Sequence, residues 1–320
     1  MKIIIKAFIV TVLFVVVPVR AQQSVIFDTD IDSDVDDVGA LAMLYRLHNR
    51  KQIHLLGVIV TSDDPYAPTC VSALNYHYGF AELPVGFLEN QPTLTNHSRY
   101  AKQISEEYPR KMKSYSDAEP ATQLYRRLLA GSPDKSVVIV TVGHLSSLQN
   151  LLRSPADQIS PMNGKSLVEA KIKAWYCMGG QFPEGKEANF YRPDPESTVY
   201  CLDNRTLPVV FCGWETGNRV MTGGQYLKAN LDEKHPVYRA YQLYNNFDGR
   251  PSWDQLTVYL LTGDYEEYFQ LESQGRCFVE TDGSNRWVAG EKTNHSYLKI
   301  KPEADISQLE KQIDDMMITP

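Results

Sequence analysis

Short apolar runs alternate with amphipathic segments along most of the chain. Runs rich in Val and Ile, such as "SVIFD" (24–28), "IHLLGVIVTS" (53–62) and "SVVIVTVG" (136–143), predict strands. The third run is continuously apolar, which is typical of a strand that is covered on both faces. Between them, "DVGALAMLYRLHN" (37–49) and "ATQLYRRLLAG" (121–131) carry apolar residues at helical spacing. This alternation indicates an α/β fold with a mainly parallel central sheet flanked by helices.

The second half of the chain continues the same pattern. The segments "VEAKIKAWYCMGG" (168–180) and "LPVVFCG" (207–213) predict strands, and "HPVYRAYQLYNNF" (235–247) and "QLTVYLLTG" (255–263) predict helices. No repeat and no long Gly/Ser linker divides the sequence, so we expect a single domain over residues 22–320. In open α/β sheets the ligands bind beyond the carboxyl ends of the strands, so the loops after the strands should hold the chemistry.

The first 21 residues differ in composition from the rest. "MKIIIKAFIVTVLFVVVPVRA" has a basic start, an apolar run and a small final residue, which together predict a secretory signal peptide cleaved after Ala21. The alternative is a membrane anchor, but the run from Ala7 to Val19 is short for a span of about 20 residues. No second run of spanning length follows. We therefore expect export to the periplasm or the medium, with no membrane attachment after cleavage.

The composition and charge of the chain give little information about its function. Of 320 residues, 43% are hydrophobic and 22% charged, which is ordinary for a globular protein, and the formal charge is −7. Loss of Lys2, Lys6 and Arg20 with the signal peptide would take that charge to −10. An acidic chain without a basic face gives no indication of nucleic-acid binding. The five cysteines are odd in number and none has CxxC spacing, and Cys177 and Cys212 end apolar runs as buried thiols do.

The strongest chemical signal is a loop of six aspartates directly after the first predicted strand: Asp28, Asp30, Asp32, Asp34, Asp36 and Asp37. Two like charges about 4 Å apart repel by roughly 4 kcal/mol at an effective dielectric near 20. One explanation is that Asp34 caps the following helix, with Asp36 and Asp37 facing its dipole and the others pointing to water. That explanation does not account for Asp28 and Asp30 at the end of a buried strand.

A hard cation accounts for the whole loop. Calcium takes six to eight oxygen ligands, often from carboxylates and backbone carbonyls. The loop has no Cys, and the flanking His48 is a helix away, which argues against zinc. It is not an EF-hand, because the central Gly and the terminal Glu are missing. The loop therefore predicts a site for a hard cation such as Ca²⁺.

"FDTDIDSDVDDVGAL" resembles the N-terminal signature of the nucleoside hydrolase family, the inosine-uridine-preferring N-ribohydrolases. The usual form of that signature is DxDxGxDD, and a longer variant, DTDxGxDxDD, matches this chain better. The resemblance implies a Rossmann-like nucleoside hydrolase fold. It also implies that Asp30 contacts both calcium and the attacking water, that Asp36 binds ribose hydroxyls, and that Asp37 chelates calcium. The family's Gly is replaced here by Asp32.

Two later stretches continue the resemblance. "VIVTVGHLSSLQNLL" is similar to the family's strand, turn and helix, in which the residue before the glycine gives its carbonyl to calcium; that residue is Val142 here. A plain strand-to-helix turn would explain this stretch alone equally well. "MGGQFPEGKEANFYRPDPEST" resembles the family's Met-Gly-Gly loop and Glu-x-Asn pair, with Pro193 as a one-residue insertion. Glu187 and Asn189 would therefore hold ribose hydroxyls.

The last stretch, "DGRPSWDQLTVYLL", resembles the segment in which the family often has His-Asp. Asp254 would complete the calcium shell, and Trp253 replaces the histidine that is associated with protonation of the leaving group. Indole is only a hydrogen-bond donor and cannot be a general acid at neutral pH, so Trp253 would stack on the substrate or pack in the core. Tyr191, Glu184 and His144 are alternative acids in or near the predicted loops.

The resemblance implies calcium-dependent hydrolysis of the N-glycosidic bond of a small-molecule nucleoside or riboside, with Asp30 as the general base. One alternative is a non-catalytic sugar or nucleoside binder on the same scaffold. Another is a magnesium-dependent phosphohydrolase with Asp28 as nucleophile, because "VIFDTD" also resembles the strand-end Asp-x-Asp of the haloacid dehalogenase phosphatases. The identities of base and sugar stay open, as does assembly as a homodimer or homotetramer.

Overall fold

A nine-stranded sheet forms the centre of the computed structural model. The structure describes residues 22–31, 33–88, 98–203, 207–291 and 293–318. The predicted signal peptide (1–21) and Asp32 lie outside the described residues. Within the described ranges, no helix is both long and apolar enough to span a bilayer.

The described strands, in chain order, are β1 (Gln23–Thr29), β2 (Ile53–Val60), β3 (Val85–Phe87), β4 (Glu119–Pro120), β5 (Val137–Thr141), β6 (Ile172–Met178), β7 (Glu184–Gly185), β8 (Val209–Cys212), β9 (Met221–Thr222), β10 (Arg250–Pro251), β11 (Phe269–Glu272), β12 (Gly275–Val279), β13 (Asn285–Ala289) and β14 (His295–Ile300). The central sheet has the order β11-β14-β8-β6-β5-β1-β2-β3-β4. All its neighbours are parallel except β11 and β14, so the predicted α/β fold with a mainly parallel sheet is confirmed.

The described α-helices are α1 (Asp36–Asn49), α2 (Ala67–His77), α3 (Ala101–Glu107), α4 (Ala121–Ala130), α5 (Ser146–Arg153), α6 (Gly164–Lys171), α7 (Ala188–Tyr191), α8 (Pro195–Asp203), α9 (Trp214–Gly217), α10 (Gln225–Asn230), α11 (Pro236–Asn245), α12 (Trp253–Tyr259) and α13 (Ile306–Ile318). Helices α1, α11, α12 and α13 cover one face of the sheet, and α4, α5 and α6 cover the other.

Side chains along β1 point alternately to the two faces of the sheet and belong to both hydrophobic cores. Val25 and Phe27 belong to the core under α1, whereas Ile26 belongs to the core under α4 and α5, and all three are fully buried. Successive strand side chains point to opposite faces, so a run without polar interruption can be buried on both sides. The same holds for β5, where Val138 and Val140 belong to the first core and Ile139 to the second, so the predicted covering of the run 136–143 on both faces is confirmed.

The chain order reverses at β1, and this reversal positions the site. β1 pairs in parallel with β2 on one side and with β5 on the other, so the connections leave β1 and β5 in opposite directions. A crevice opens at the carboxyl ends of the strands wherever an α/β sheet has such a switch point. The loops after β1, β5 and β6 all meet at this edge.

Two element boundaries differ from the sequence prediction. The segment 168–180 was expected to be one strand, but Val168–Lys171 form the end of α6 and β6 begins at Ile172. Helix and strand periods are hard to separate over so short an apolar stretch, and Leu167 and Val168 pack as helical core residues. Asp34 does not cap α1: the residue at the cap position is Val35, which has no capping side chain.

All five cysteines are buried thiols without disulfide bonds. Burial of Cys177 and Cys212, which end β6 and β8 on the two faces of the sheet, is confirmed. Burial raises the pKa of each of the five thiols, so they behave as small apolar core residues.

Candidate functional site

A cavity of about 280 Å³ lies at the carboxyl ends of β1, β5 and β6, where the switch point predicts it. Its walls include seven of the eight residues predicted from the sequence: Asp30, Asp36, Val142, Glu187, Asn189, Trp253 and Asp254. The eighth, Asp37, is buried in the first turn of α1 next to Asp36. The structure therefore brings the predicted residues to one place, while the individual roles remain predictions.

The loops after β1 and β5 are pressed together by close backbone packing. The amide of Val142 donates to the carbonyl of Asp28 at 2.8 Å, which extends the parallel pairing of β1 and β5 beyond the strands. A Cβ atom at Gly143 would lie only 2.8 Å from the backbone nitrogen of Asp30. Gly143 is therefore needed for this approach, and the approach sets Val142 and Asp30 side by side in the cavity wall.

Asp37 fixes the shape of the aspartate loop. Its carboxylate accepts hydrogen bonds from the Thr29 hydroxyl and, at 3.1 Å, from the backbone N–H of Ile31. Ile31 is fully buried and has a φ of 41°, a conformation that is rare for a β-branched residue. Such strain persists only when the surroundings impose it, and it is common at functional sites.

Three aspartates come close enough to share one cation. One carboxylate oxygen each from Asp34, Asp36 and Asp37 lies within 4.8 Å of the other two, and Asp36 and Asp37 are buried. Oδ2 of Asp36 accepts from the backbone N–H of Asp254 at 3.2 Å, but Oδ1 is buried with no hydrogen-bond partner among the described residues. An orphaned buried carboxylate oxygen in an all-oxygen donor set is what a hard cation would satisfy.

The electrostatics of the cluster agree with that fit. Burial, and then the charges of Asp34 and Asp37, raise the pKa of Asp36 well above its usual value. Burial and Asp34 raise the pKa of Asp37 to about 7, against the hydrogen bonds from Thr29 and Ile31. Burial and the neighbouring aspartates likewise raise the pKa of Asp254 well above its usual value. Arg250 offsets only part of this crowding at Asp36, and a bound cation would remove the rest.

Asp34 and Arg250 form an ion pair in the cavity wall that the sequence did not predict. The Arg250 guanidinium donates to Oδ2 of Asp34, and its central carbon lies 4.8 Å from the Trp253 ring centroid. The Tyr100 hydroxyl also donates to the backbone carbonyl of Asp34 at 2.7 Å. The positive charge of Arg250, which lies in β10, neutralises part of the negative charge of the clustered aspartates.

Asp28 is a structural residue. It is 1% exposed, it is not part of the cavity wall, and its carboxylate accepts from the Thr61 hydroxyl and, at 2.6 Å, from the Tyr125 hydroxyl. Burial raises its pKa to about 7 in spite of these two bonds. A carboxylate enclosed in this way has no access to a phosphate group, so the phosphohydrolase alternative loses its nucleophile.

Glu187 and Asn189 occupy the loop after β6. Glu187 accepts from the backbone N–H of Gly180 at 3.0 Å and from that of Asn189 at 2.8 Å. Burial raises the pKa of Glu187 to about 7, and these amide bonds oppose the rise. The Asn189 amide donates to the carbonyl of Val142 at 3.0 Å and also reaches the carbonyl and the sulfur of Met178. Asn189 therefore ties the end of β6 to the loop after β5.

Trp253 begins α12 and is held by α9. Its indole N–H donates to the backbone carbonyl of Trp214 at 2.9 Å. A Cβ atom at Gly217 would lie 2.1 Å from the Trp253 ring, so the absence of a side chain there allows the two helices to meet. Trp214 itself lines the cavity with 39% of its surface exposed. Trp253 is thus packed and hydrogen-bonded, and Trp214 provides the more open aromatic face.

Of the three alternative acids, only His144 lines the cavity. Its ring is 2% exposed, and Nδ1 lies 2.9 Å from the hydroxyl of Ser146, which in turn donates to Asp194 at 2.6 Å. Burial lowers the pKa of His144 to about 4, although Asp194 and Asp63 act in the opposite direction. The side chains of Glu184 and Tyr191 lie outside the cavity wall.

The sequence did not predict several further residues of the cavity wall, among them the polar or aromatic residues Ser33, Arg192, Trp214 and Arg250. Ser33 lies in the aspartate loop, and Arg192 lies in the stretch that contains Glu187 and Asn189. Because both stretches carry predicted site residues, these neighbours in the sequence could have indicated them. Arg250 stands three residues before Trp253 in "DGRPSWD", where an arginine facing an aspartate loop could have been suspected. Nothing in the sequence around Trp214 indicates a cavity residue.

Comparison with known proteins settles the family. The profile of the inosine-uridine preferring nucleoside hydrolases matches residues 25–309, which is most of the chain. The protein belongs to this family. A search of the curated proteins found no significant match. Membership confirms the resemblance drawn from the aspartate loop and the predicted class of N-glycosyl hydrolase, in a family that acts on nucleosides and depends on a metal.

Solved structures agree on the fold at low sequence identity. A purine-preferring ribonucleoside hydrolase from Gardnerella vaginalis is 15% identical with a TM-score of 0.69, and 92% of this chain aligns with 98% of that one. The inosine-uridine preferring nucleoside hydrolase from Bacillus anthracis is 16% identical with a TM-score of 0.64, again over 92% and 98%. The type III effector XopQ, solved with adenosine diphosphate ribose, is 13% identical with a TM-score of 0.70, over 94% and 95%.

Proposed function

We propose that this nucleoside hydrolase cleaves the N-glycosidic bond of small ribosides with a calcium ion bound among the aspartates after β1. The observation that carries the proposal is the orphaned Oδ1 of buried Asp36 within an all-carboxylate cluster. Calcium is favoured over zinc because the clustered donors are oxygens. The cavity of about 280 Å³ is close to the lower end of the range for small-molecule sites.

The ligand set combines the resemblance with the observed geometry. Asp30, Asp37, Asp254 and the Val142 carbonyl were predicted as ligands, and Asp34 and Asp36 join them through their proximity. The Val142 carbonyl already accepts from Asn189, but a carbonyl oxygen has two lone pairs and can serve both. A bound divalent cation supplies Lewis-acid chemistry that lowers the pKa of a water molecule.

The remaining residues orient the sugar and accept the proton. Asp30 takes the proton from the attacking water as general base. Asp36, Glu187 and Asn189 hold ribose hydroxyls, since carboxylate oxygens accept and an amide can donate to a vicinal diol. Glu187 is preorganised for this work because two backbone amides fix its carboxylate. The ribosyl group then passes through an oxocarbenium-like state, as in glycoside cleavage generally.

Hydrolysis assays with and without calcium test the proposal. Metal-stripped protein should be inactive toward nucleosides and 4-nitrophenyl riboside, and added Ca²⁺ should restore ribose release. Elemental analysis should find one calcium per chain, and a chelator should lower the melting temperature. Full activity in the presence of a chelator, or no metal at saturation, would overturn the calcium assignment.

A second candidate is binding without hydrolysis, and one observation favours it. Trp253 occupies the position at which the resemblance places an acid. Turnover of ordinary nucleosides therefore lacks the contribution of a general acid that protonates the leaving group. The exposed Arg192 at the cavity wall could meet a phosphate, which suits a ligand like the adenosine diphosphate ribose bound by XopQ. Calorimetry with adenosine diphosphate ribose and with ribose, in the presence of calcium, distinguishes the two: binding with no cleavage of any riboside supports the binder.

We also propose that the protein is exported and cleaved after Ala21. The basic start, the apolar run and the Val-Arg-Ala end of residues 1–21 support this. Mass spectrometry of protein recovered from outside the cytoplasm should find Gln22 at the N-terminus, and an intact Met1 there would contradict cleavage.

A further inference from the structure

His144, in the cavity wall, has a ring nitrogen that the proposed mechanism does not use. The ring is 2% exposed, and its Nε2 is buried with no hydrogen-bond partner among the described residues. The other ring nitrogen, Nδ1, lies 2.9 Å from the Ser146 hydroxyl. A buried polar atom without a partner is costly, so Nε2 should meet a group that enters the cavity.

A chain of hydrogen bonds behind the His144 ring determines which of its nitrogens carries the proton. The Ser146 hydroxyl donates to Oδ2 of Asp194 at 2.6 Å, so its single proton is already used. The oxygen of Ser146 must then accept from Nδ1–H. In the other tautomer Ser146 would donate to Nδ1, and the oxygens of Ser146 and Asp194 would face each other without a proton between them. The neutral ring therefore carries its proton on Nδ1 and is an acceptor at Nε2.

The groups around the ring are acceptors as well. The charge of Asp63 and the backbone carbonyl of Thr61 both act on the His144 ring. The preceding residue, Gly143, packs on Asp30, since a Cβ atom there would lie 3.1 Å from Cγ of Asp30. The carboxylate of the proposed general base thus lies against the residue next to His144. A place with several acceptors is best filled by a group that can donate two protons, and water is the smallest such group.

We propose that Nε2 of His144 accepts a hydrogen bond from the attacking water and orients it between His144 and Asp30. This assignment rests on the proposed function. Water gives one proton to Asp30 while its oxygen bonds to C1′, and the leaving group departs with the electron pair of its bond to C1′. The second O–H bond stays intact, points to Nε2 throughout and becomes the anomeric hydroxyl of ribose. Asp30 then returns its proton to solvent. Ser146 and Asp194 are positioning residues, because they act through the ring.

The tautomer of His144 can be measured without turnover. Long-range proton–nitrogen NMR spectra of isotope-labelled histidine distinguish a protonated from an unprotonated ring nitrogen, and the signal that is lost in His144→Phe identifies the ring. We expect Nδ1–H in the wild type. Asp194→Asn should reverse the chain, because its amide oxygen keeps the bond from the Ser197 N–H and its NH₂ group then faces Ser146, whose proton turns to Nδ1. A proton on Nε2 in the wild type would overturn the proposal.

Competition between water and methanol tests the contact during the reaction. Methanol has one O–H proton, which Asp30 takes, and a methyl group where water has its second proton, so it donates nothing to Nε2 in either tautomer. With 4-nitrophenyl riboside at saturating calcium, the ratio of methyl riboside to ribose reports how well each nucleophile is held. Asp194→Asn presents an N–H to the water. It should lower kcat for hydrolysis about tenfold, leave KM nearly unchanged and raise the ratio by the same factor.

Ser197→Ala is the matched control for Asp194→Asn. It removes a hydroxyl that donates to the backbone carbonyl of Asp194 and leaves both carboxylate oxygens in place. The His144 tautomer and the product ratio in this variant should equal those of the wild type. His144→Phe keeps a ring but removes the acceptor, and it should raise the ratio as Asp194→Asn does.

The product ratio also separates a contact with water from a purely structural role. If Asp194→Asn lowers hydrolysis and methanolysis equally, or if the ratio does not rise, His144 does not hold the attacking water and the proposal is wrong. Riboside hydrolysis by the wild type would still stand in that case. Wild-type protein that releases no ribose from the nitrophenyl probe would overturn the proposed function together with this assignment.

Discussion

Arg250 donates a hydrogen bond to the carboxylate of Asp34, which is itself a member of the acidic cluster that is proposed to hold calcium. Asp34 lies close enough to Asp36 and Asp37 to share a cation with them. The Arg250 guanidinium and a bound cation therefore compete for the same carboxylate. Arg250 should therefore lower the affinity of the cluster for a cation, although it is not itself a metal ligand.

Arg250→Met should make the protein bind calcium more tightly. Removal of the guanidinium leaves Asp34 without this counter-charge, which increases repulsion in the metal-free cluster and frees an oxygen for the cation. We expect roughly a tenfold fall in the calcium Kd, or about 1.4 kcal/mol, together with a lower melting temperature of the metal-free protein. Calorimetry and melting curves with and without a chelator measure both quantities.

Arg192→Met is the matched control for that substitution. Arg192 also lines the cavity and is exposed, but its charge lowers the pKa of Glu187, and the ion pair with Asp34 is made by Arg250. Calcium affinity and the metal-free melting temperature should stay close to the wild-type values. An unchanged or weaker calcium affinity in Arg250→Met would show that the ion pair does not compete with the cation.

Asp30→Asn should abolish most turnover because an amide cannot take a proton from water. The expected loss in kcat is about 10²–10⁴, measured with 4-nitrophenyl riboside at calcium concentrations that saturate the variant. Calcium affinity should also fall, since a neutral ligand replaces a carboxylate. Asp248→Asn, at an exposed position outside the cavity, serves as the control. A rate within tenfold of wild type at saturating calcium would rule out Asp30 as the base.

Tyr125→Phe should destabilise the fold and leave the chemistry intact. The Tyr125 hydroxyl donates to the buried carboxylate of Asp28, and its removal leaves one oxygen unsatisfied, at a cost of about 1–3 kcal/mol. Urea denaturation measures the loss, and Tyr115→Phe, at a ring that is 49% exposed, should cost almost nothing. Phosphate release from sugar phosphates with magnesium would contradict the structural assignment of Asp28.

The sequence predicted that the loops at the carboxyl ends of the strands would form the cavity, because strand-end loops carry their own signals. A carboxylate run after a buried strand, and a glycine between Val142 and His144, are local features, and they predicted the cavity wall around Asp30. The resemblance then assigned these loops to a single site. The structure brings them together at the ends of β1, β5 and β6.

What the sequence could not predict depends on contacts between distant segments. Asp34 reads as a helix cap in isolation, and its partner Arg250 lies 216 positions away along the chain. Trp253 reads equally well as a stacking or a core residue until its N–H is found on the carbonyl of Trp214. The antiparallel strand β11 at the sheet edge was missed because its pairing with β14 links segments that show no distinctive pattern.

Asp314 gives the protein a pH-dependent stability that is independent of the site. This residue of α13 is 6% exposed and accepts a hydrogen bond from the backbone N–H of Gly223 at 2.9 Å. Burial raises its pKa to about 7, against that bond. The folded state therefore holds the proton more tightly than the unfolded chain, so stability falls as pH rises from about 4 to about 7 and is level above that.

Asp314→Asn should remove this dependence, because an amide oxygen can accept the same bond from Gly223 without carrying a charge. At pH 8 the variant should be more stable than wild type by up to about 4 kcal/mol in urea denaturation, and near pH 4 the difference should vanish. Asp315→Asn is the control with the opposite sign. Burial raises the pKa of Asp315, but hydrogen bonds from Lys311 and Tyr226 outweigh it and lower the pKa, so loss of that charge should slightly destabilise the protein at pH 8. An equal gain for Asp314→Asn at both pH values would mean that packing, and not the proton, controls the effect.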